Sequence, residues 1–481
     1  MSGAPLAPIR VPRWPEGAGA GPDFAAIRAE FDVPEEFPPD VLAEAERRAA
    51  EPPLPELDAT DVPLVTLDPP GSRDLDQAVH LAARGDGFRV SYAIADVGAF
   101  VRLGSALDRE ARRRGQTLYS PDRRTPLHPP VLSEGAASLL PDQLRPAVLW
   151  TIDLDSDGEP VRVDLRRARV RSRAQLDYPA VQAQADAGTL PEPLALLPVI
   201  GALLERGATE RGAIELGTPD QEVEAAPDGG WTLVLRGDLP VEGWNAQISL
   251  LTGRCAAALM LDGGVGVLRT LPPARPEDVA RLKLLAPALG VEWPADAGPG
   301  EVIASLDPTR PGHAAFLEES VALLRGAAYT PFDGAPPVQA GHAGVGAPYS
   351  HVTAPLRRLV DRFGTEVCLA LAAGAEPAPE LRAALPELPA LMAASDRRTR
   401  EVERAVVDAT EAWLLQDRVG QTFSAVVVDA EDGRGTVVLD EHAIRGRCQG
   451  EGLRPGTRVG VRLEEADVVA RSIRFTLAAA P

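Results

Sequence analysis

The stretch VTLDPPGSRDLDQAVHL, Val65 to Leu81, places three carboxylates, Asp68, Asp74 and Asp76, within nine residues. Carboxylates this close repel one another and call for a compensating cation. They follow a strand-like run and sit around a Pro-Gly turn. Aspartate is too short to spread its charge, so such a loop suits a hard divalent ion bound through oxygen. Mg²⁺ held this way keeps waters and takes further ligands from a substrate phosphate. Two such ions can stabilise the attacking and leaving oxygens of phosphodiester cleavage. An isolated D-x5-D-x-D is more often a solvated acidic turn, so the spacing alone leaves both readings open. A second acidic run, DLDSDGEP from Asp153 to Pro160, begins like a calcium loop. Its twelfth position is Asp164 rather than glutamate, and it lies between the alternating segments AVLWTIDL and EPVRVDL. It reads as a hairpin turn.

The elements that must position the aspartates begin near Pro63. LVTLD, RVSYAIADV, AVLWTIDL and EPVRVDLRRARV carry the apolar runs or alternation of strands. Helical patterns alternate with coil from about Asp177 to Arg325, and DRRTREVERAVVDATEAWLLQDRV, Asp396 to Val419, predicts a long helix. TFSAVVVD, GRGTVVLD, RVGVRLEEADV and SIRFTLA, between Gly420 and Leu477, suggest a small closed barrel of about five short strands, for which the OB fold is the expectation. Ahead of the strands lie a Pro/Gly-rich arm, 1–22, expected to be flexible, and a helix at PPDVLAEAERRAA. That helix has Asp40 as the expected N-cap and Pro52–Pro53 as its stop.

A chain of 481 residues exceeds one ordinary core. No apolar run approaches the length of a membrane helix, and the N-terminus lacks an apolar secretory core. Cys255, Cys368 and Cys448 form no C-x-x-C pair, which points to a reducing, cytoplasmic setting and away from zinc. The net charge of −21 argues at first against nucleic acid. The cations are clustered, however, at Arg109–Arg114, Asp122–Arg124, Arg166–Arg173 and Pro355–Arg362. Basic inner walls and an acidic exterior are compatible with this sum. Lys283 is the only lysine, and the Ala, Gly and Pro richness makes codon bias the simplest account of that.

The aspartate stretch resembles the signature opening the catalytic domain of the ribonuclease II (RNB) family. SYAIADVGAFVRLGSALDREARRRGQTLYSPDRRTPLHPPVLSEGAASLLP, RARVRSRAQLDYPAV and GHAGVGAPYSHVTAPLRRLVDRF are similar to the family's later blocks, in the same order, over roughly Pro63 to Leu415. The fold class implied is α+β: an RNB catalytic domain of mixed strands and helices over 61–418, ending in the long helix from about 396, and an OB-fold RNA-binding domain over 419–481. The arm (1–22) and a short helical segment (23–60) precede them. The activity implied is a Mg²⁺- or Mn²⁺-dependent 3′→5′ exoribonuclease, a monomer without membrane attachment. It would draw the 3′ end of single-stranded RNA into an internal channel and release nucleoside 5′-monophosphates. Asp68, Asp74 and Asp76 fall on the family's metal-binding carboxylates, with Asp76 on the one most critical for chemistry and Asp74 beside it in the catalytic set. Arg357 matches the arginine on the scissile phosphate, with Arg358 beside it as a further substrate contact. Tyr119 matches the tyrosine that packs on the 3′-terminal base, a sequence-tolerant contact because every base has a π-face. Glu403 matches a helix glutamate near the 3′ end. His342, His351 and Asp96 read as structural.

Three features depart from the family pattern. Gln77 stands on a fourth metal-binding position that is usually aspartate; its carbonyl can still coordinate, but it brings no charge. Ala354 and Leu359 replace a serine and a tyrosine near Arg357. Only about sixty residues precede the RNB-like region, where family members often carry two cold-shock barrels. The alternative function is therefore an RNB-fold RNA-binding protein with impaired catalysis. With Asp68, Asp74, Asp76 and Arg357 all present, activity is expected to be retained with weaker Mg²⁺ binding than a four-aspartate site. Gln77→Asp is expected to raise Mg²⁺ affinity in a calorimetric titration, and an unchanged affinity would refute this account of Gln77.

Overall fold

The computed structural model describes residues 9–10, 21–217, 220–226, 230–307, 310–440 and 444–478. The central sheet is an antiparallel meander, β1 (Gln77–Arg84), β2 (Gly87–Ala95), β3 (Leu144–Leu154) and β4 (Pro160–Arg171), in that spatial order. Register pairs Val79 with Tyr92 and Tyr92 with Trp150, stacking large side chains inside the main core. The DLDSDGEP segment is the β3–β4 turn, as expected. The Asp155 carboxylate accepts from the amides of Asp157 and Glu159, at 3.0 and 2.9 Å, and closes it.

Four helices matter for the site. α1 (Ala106–Arg114) is capped by the Ser105 hydroxyl and stops at Gly115, whose φ of 77° favours glycine. A Cβ at Gly115 would also come within 2.4 Å of Ser395. α2 (Pro240–Asp262) and α3 (Leu359–Ala372) pack on each other, and α3 also packs on β4. α4 (Leu388–Leu415) is the expected long helix, but it begins at Leu388 rather than Asp396 and ends at Leu415 rather than Val419. LPALMAAS extends its helical pattern upstream, and Leu388 and Met392 are buried in the main core. The helix at Pro39–Ala50 has Pro38 at its N-cap with no side-chain cap, so Asp40 is not the cap. Pro39 supplies a preset φ at the first helical position, and Asp40 lies in the first turn, where the helix dipole favours an anion. The helix Phe24–Glu30 and the hairpin Asp220–Ala225/Trp231–Arg236 carried no clear signal in the sequence.

The C-terminal strands β5 (Thr422–Glu431), β6 (Arg434–Leu439), β7 (Arg445–Gln449), β8 (Arg458–Asp467) and β9 (Ser472–Leu477) form a closed barrel in the order β5-β6-β7-β9-β8. Its filling of Val427, Val437, Val461, Leu463 and Phe475 is continuous with Ala412 and Trp413 of α4. Phe475 is inside, edge-on to Phe423 with ring centres 6.3 Å apart. Among the described residues, no helix is long and apolar enough to cross a membrane.

The arginine-rich runs are largely consumed in ion pairs. Arg112 meets Asp108 and Glu387, Arg113 and Arg114 share Glu110, Arg167 meets Asp96 and Glu366, and buried Arg362 pairs with Asp108. Most of the expected arm, 1–22, lies outside the described residues; Ile9–Arg10 pairs with the strand Trp231–Arg236. The helix Phe24–Glu30 is tied to the site. Phe24 and Ile27 pack with Leu118 and with Val402 and Val406 of α4. Arg28, 3% exposed, donates to Glu35 at 2.5 Å and to Asp122 at 2.6 Å.

Where α4 meets the barrel, Glu411 is buried and accepts from Gln221 Nε2 at 3.1 Å and from the Arg445 amide at 3.4 Å. Burial pushes its carboxyl up to about 7, against those two hydrogen bonds. The folded protein thus holds this proton more tightly than the unfolded chain, so ionising Glu411 costs stability as pH rises from its ordinary value towards 7. Glu411→Gln is expected to become progressively more stabilising relative to wild type between about pH 5 and pH 8. Urea melts across that window check it, and a pH-independent difference would refute it.

Candidate active site

The aspartates are held by three unrelated parts of the chain. Asp68 ends the strand Thr66–Asp68, which pairs in parallel with Gln175–Asp177. The chain then turns through Pro69, Pro70 and Gly71, and Ser72 accepts from Gln175 Nε2 at 2.7 Å. Residues 73–76 are pinned from the other side. Ser138 Oγ accepts from the Leu75 amide at 3.0 Å and donates to the Arg73 carbonyl at 2.6 Å, while the Ala95 amide of β2 donates to the Asp76 carbonyl at 2.9 Å. Leu75 between them is fully buried. Asp76, 3% exposed, accepts from the Leu356 amide at 2.8 Å and faces Arg357 Nε at 3.4 Å.

Arg357 lies in the turn entering α3. Its carbonyl accepts from the Thr117 amide at 2.9 Å, and the next residues are anchored by Leu359 N to Gly115 O, also at 2.9 Å. Half of the Arg357 side chain is exposed. Arg358 differs. It grips the fully buried Asp361 with Nε at 3.0 Å and Nη2 at 3.1 Å, and Asp361 in turn accepts from the Ala354 amide at 2.7 Å. Ala354 and Leu359 are both buried, so these departures from the family pattern bear on packing.

Tyr119 and Arg124 are cross-strand partners in the short hairpin Leu118–Tyr119/Arg124–Thr125. The Tyr119 ring is 49% exposed, and its hydroxyl donates to Asp74 Oδ2 at 3.4 Å. The structure therefore brings Asp68, Asp74, Asp76, Arg357 and Tyr119 together. Gln77, at the start of β1, donates its amide nitrogen to the Thr353 carbonyl at 2.5 Å, which leaves only its Oε1 for a cation. Glu403 is exposed on α4, one residue after buried Val402. His351 is half-buried with Nδ1 against the Tyr329 hydroxyl at 2.8 Å, and desolvation holds it well below the usual imidazole range. Asp96 caps a short helix and pairs with Arg167.

Burial dominates the electrostatics. It pushes the carboxyl of Asp68 up to about 7 and that of Asp76 up to about 8; Arg357 opposes the rise in both and Asp74 adds to it. Asp68 Oδ2 is buried without a hydrogen-bond partner. An orphaned hard oxygen on Asp68, with the charge of Asp74 acting on the same carboxyl, fits a divalent cation that completes its shell with water and phosphate. Among the described residues, however, no three carboxylate, imidazole or thiolate side chains converge into a ready-made metal cage. Sequence reading missed Arg124, which holds Asp74, Glu134, which pairs with Arg124, and Tyr178, whose phenol accepts from Asn245 Nδ2 at 3.1 Å and is pushed up to about 12 by burial and then by Asp68. The DRR run was the available signal for Arg124.

The chain matches the family model of the RNB domain over residues 57–364 and that of the RNase II-type exonuclease C-terminal S1 domain over 421–478. It is 26% identical over 444 residues to Ribonuclease R of Aquifex aeolicus, covering 87% of this chain and 62% of that protein. It is 26% identical over 487 residues to Ribonuclease R of Escherichia coli, covering 88% and 57%. The chain thus spans about six tenths of the length of these curated relatives. Mycoplasma genitalium RNase R in complex with ribose methylated single-stranded RNA matches at a TM-score of 0.84 and 20% identity, over 95% of this chain and 78% of that one. Yeast Ssd1, titled a pseudonuclease, matches at 0.68 and 16%, over 86% and 54%. At such identities these two structures speak for the fold.

The two neighbouring arginines have separable roles. Arg357→Ala is expected to leave the melting temperature close to wild type and to lower phosphodiester cleavage by about 10²–10³-fold. Arg358→Ala strands the buried Asp361 charge and is expected to cost about 3–5 kcal/mol in a denaturant melt. Equal thermal losses in both variants would contradict this division.

Proposed function

We propose that this chain, which belongs to the RNB-domain family, is a 3′→5′ exoribonuclease that hydrolyses single-stranded RNA one nucleotide at a time. The observation that carries the reading is the face-off between buried Asp76 and half-exposed Arg357, with the open Tyr119 ring beside them. The relatives named Ribonuclease R and the neighbour in complex with ribose methylated single-stranded RNA support RNA as the substrate.

In this reading the 3′-terminal base stacks on Tyr119, which sets the register of the last phosphodiester over the aspartates. Water attacks that phosphorus and the bond to the upstream 3′-oxygen breaks. A nucleoside 5′-monophosphate departs, and the shortened RNA keeps a 3′-hydroxyl. Arg357 neutralises charge that develops on the phosphoryl oxygens; its planar fork and its place beside Asp76 hold it ready without reorganisation. The Leu356 amide fixes the orientation of Asp76. Asp68 and Asp76 would hold Mg²⁺ or Mn²⁺, which when bound supplies Lewis-acid polarisation of the phosphate and a more acidic water. Contacts to the 2′-hydroxyl would exclude DNA.

Gln77 favours a second reading, in which the chain binds RNA without cleaving it. The fold accommodates such a role, as the match to a pseudonuclease indicates. A 5′-labelled single-stranded RNA incubated with Mg²⁺ separates the two. Wild type is expected to give a ladder shortening from the 3′ end, with Asp76→Asn inactive and a matched DNA untouched. Absence of shortening across Mg²⁺ and Mn²⁺ concentrations, with RNA still shifted in a gel, would favour the binding protein.

A further inference from the structure

The element that offers a ring to the terminal base is very small. Leu118–Tyr119 and Arg124–Thr125 pair at two positions. The turn between them is closed by Ser120 and Arg123, whose amides donate to each other's carbonyls at 3.0 and 3.2 Å. Even a longer two-stranded hairpin is marginal in water by itself. The Tyr119 hydroxyl reaches Asp74 at 3.4 Å, a long contact for an O–H donor, and 49% of the residue is exposed. The direction of the ring is therefore set by what holds the backbone of the hairpin.

Two groups of contacts hold it. Arg124 ties the second strand to Asp74 and Glu134. The turn is tied to the N-terminal helix Phe24–Glu30. Arg28, in the last turn of that helix, is 3% exposed. It donates Nη1 and Nη2 to the two oxygens of Asp122 at 2.6 and 3.1 Å, and Nε to Glu35 Oε1 at 2.5 Å. Glu35 Oε2 takes Arg123 Nη1 at 2.8 Å. The buried guanidinium is thus compensated by two carboxylates, and its fork fixes direction as well as distance. The helix that carries it is seated by Phe24 and Ile27, which pack with Leu118 and with Val402 and Val406 of α4. Asp122 follows Tyr119 by three residues, so a shift at Arg28 reaches the ring through one tight turn.

We propose that Arg28 is a positioning residue for the 3′-terminal nucleotide. It locks Asp122, and with it the turn after Tyr119, so that the ring already stands in its stacking plane when RNA arrives. Binding then carries no cost for ordering the hairpin. Lysine could not take its place, since an ammonium lacks the planar fork that holds Asp122 and Glu35 together. This assignment rests on Tyr119 as the stacking partner and not on cleavage.

Fluorescence anisotropy of a 5′-labelled single-stranded RNA, with EDTA present, tests it. The full chain is titrated onto RNA with an ordinary 3′-terminal nucleotide and onto the same RNA lacking only its last base. The ratio of the two affinities reads stacking at the 3′ end, and a variant that merely folds less completely leaves that ratio unchanged. Wild type is expected to prefer the intact end by about 5- to 150-fold, the range of one base–aromatic stack. Tyr119→Ala should bring the ratio close to one. Arg28→Lys and Asp122→Ala should each lose most of the preference. Adding Asp122→Ala to Tyr119→Ala should change the affinity for either RNA by less than about twofold. A folded Arg28→Lys or Asp122→Ala that keeps the wild-type ratio would overturn the proposal, and so would a further loss in the double variant. If Arg28→Lys does not fold, Asp122→Ala decides. A wild-type ratio near one would remove the stacking role of Tyr119 and this proposal together. A preference lost in the variants, beside wild type that fails to shorten RNA with Mg²⁺, would instead sink the exonuclease reading and leave this one standing.

Discussion

The Leu356 amide reaches a carboxylate 280 positions away in the chain, on Asp76, and the site is organised around that hydrogen bond. It joins the turn before β1 to the turn before α3 and sets Arg357 against Asp76. Burying an ionisable group is expensive unless it is paired. Here one amide and one partly solvated guanidinium offset that cost only in part, as the upward shift of Asp76 records. What surrounds the bond serves to maintain it. Leu75 and Leu356 are sunk in one hydrophobic cluster, Ser138 clamps residues 73–75, and Thr117 clamps Arg357. The result is a site that carries latent negative charge in a largely dry setting, where an incoming cation is worth more than in water.

Much of this was legible in the residues. The strand pattern marked β2, β3 and β4 of the central meander but not β1, and LVTLD belongs to a separate two-stranded sheet; the turn reading of DLDSDGEP held because alternation on both sides left it no room to be anything else. The aspartates could be found because carboxylate crowding is itself a signal. The strand Arg445–Gln449 was harder to see: RGRCQ offers only Gly446 and Cys448 to the barrel interior, so no hydrophobic alternation marks it. The early start of α4 was obscured by LPALMAAS, whose apolar residues fit buried helix or buried coil equally well. The DRR run marked Arg124 as a cation, but its partner was beyond reach for another reason. Its role depends on a two-residue pairing register and on Asp74, fifty positions away, and neither leaves a trace in local composition.

Charge is spent inwardly in this protein. The arginine runs that could have formed an open basic surface are paired with Asp96, Asp108, Glu110, Asp361 and Glu366 instead. Those pairs hold α1, α3 and β4 in one frame. Arg357 is an exception, half exposed and shared with a single buried acid. An overall acidic chain can thus serve an anionic substrate, because attraction is needed only where the phosphate stops.

The helix Phe24–Glu30 shows where the scaffold of the candidate site begins in physical terms. Resemblance to the family starts at residue 57, yet Arg28 grips Asp122, and Glu35 and Glu36 grip Arg123. Those partners lie in the loop of the hairpin that bears Tyr119 and Arg124. A fragment cut at the edge of the recognisable domain would keep Asp68, Asp74 and Asp76 and lose the brace that aims the tyrosine. The boundary of inherited sequence and the boundary of the working machine are different lines in this chain.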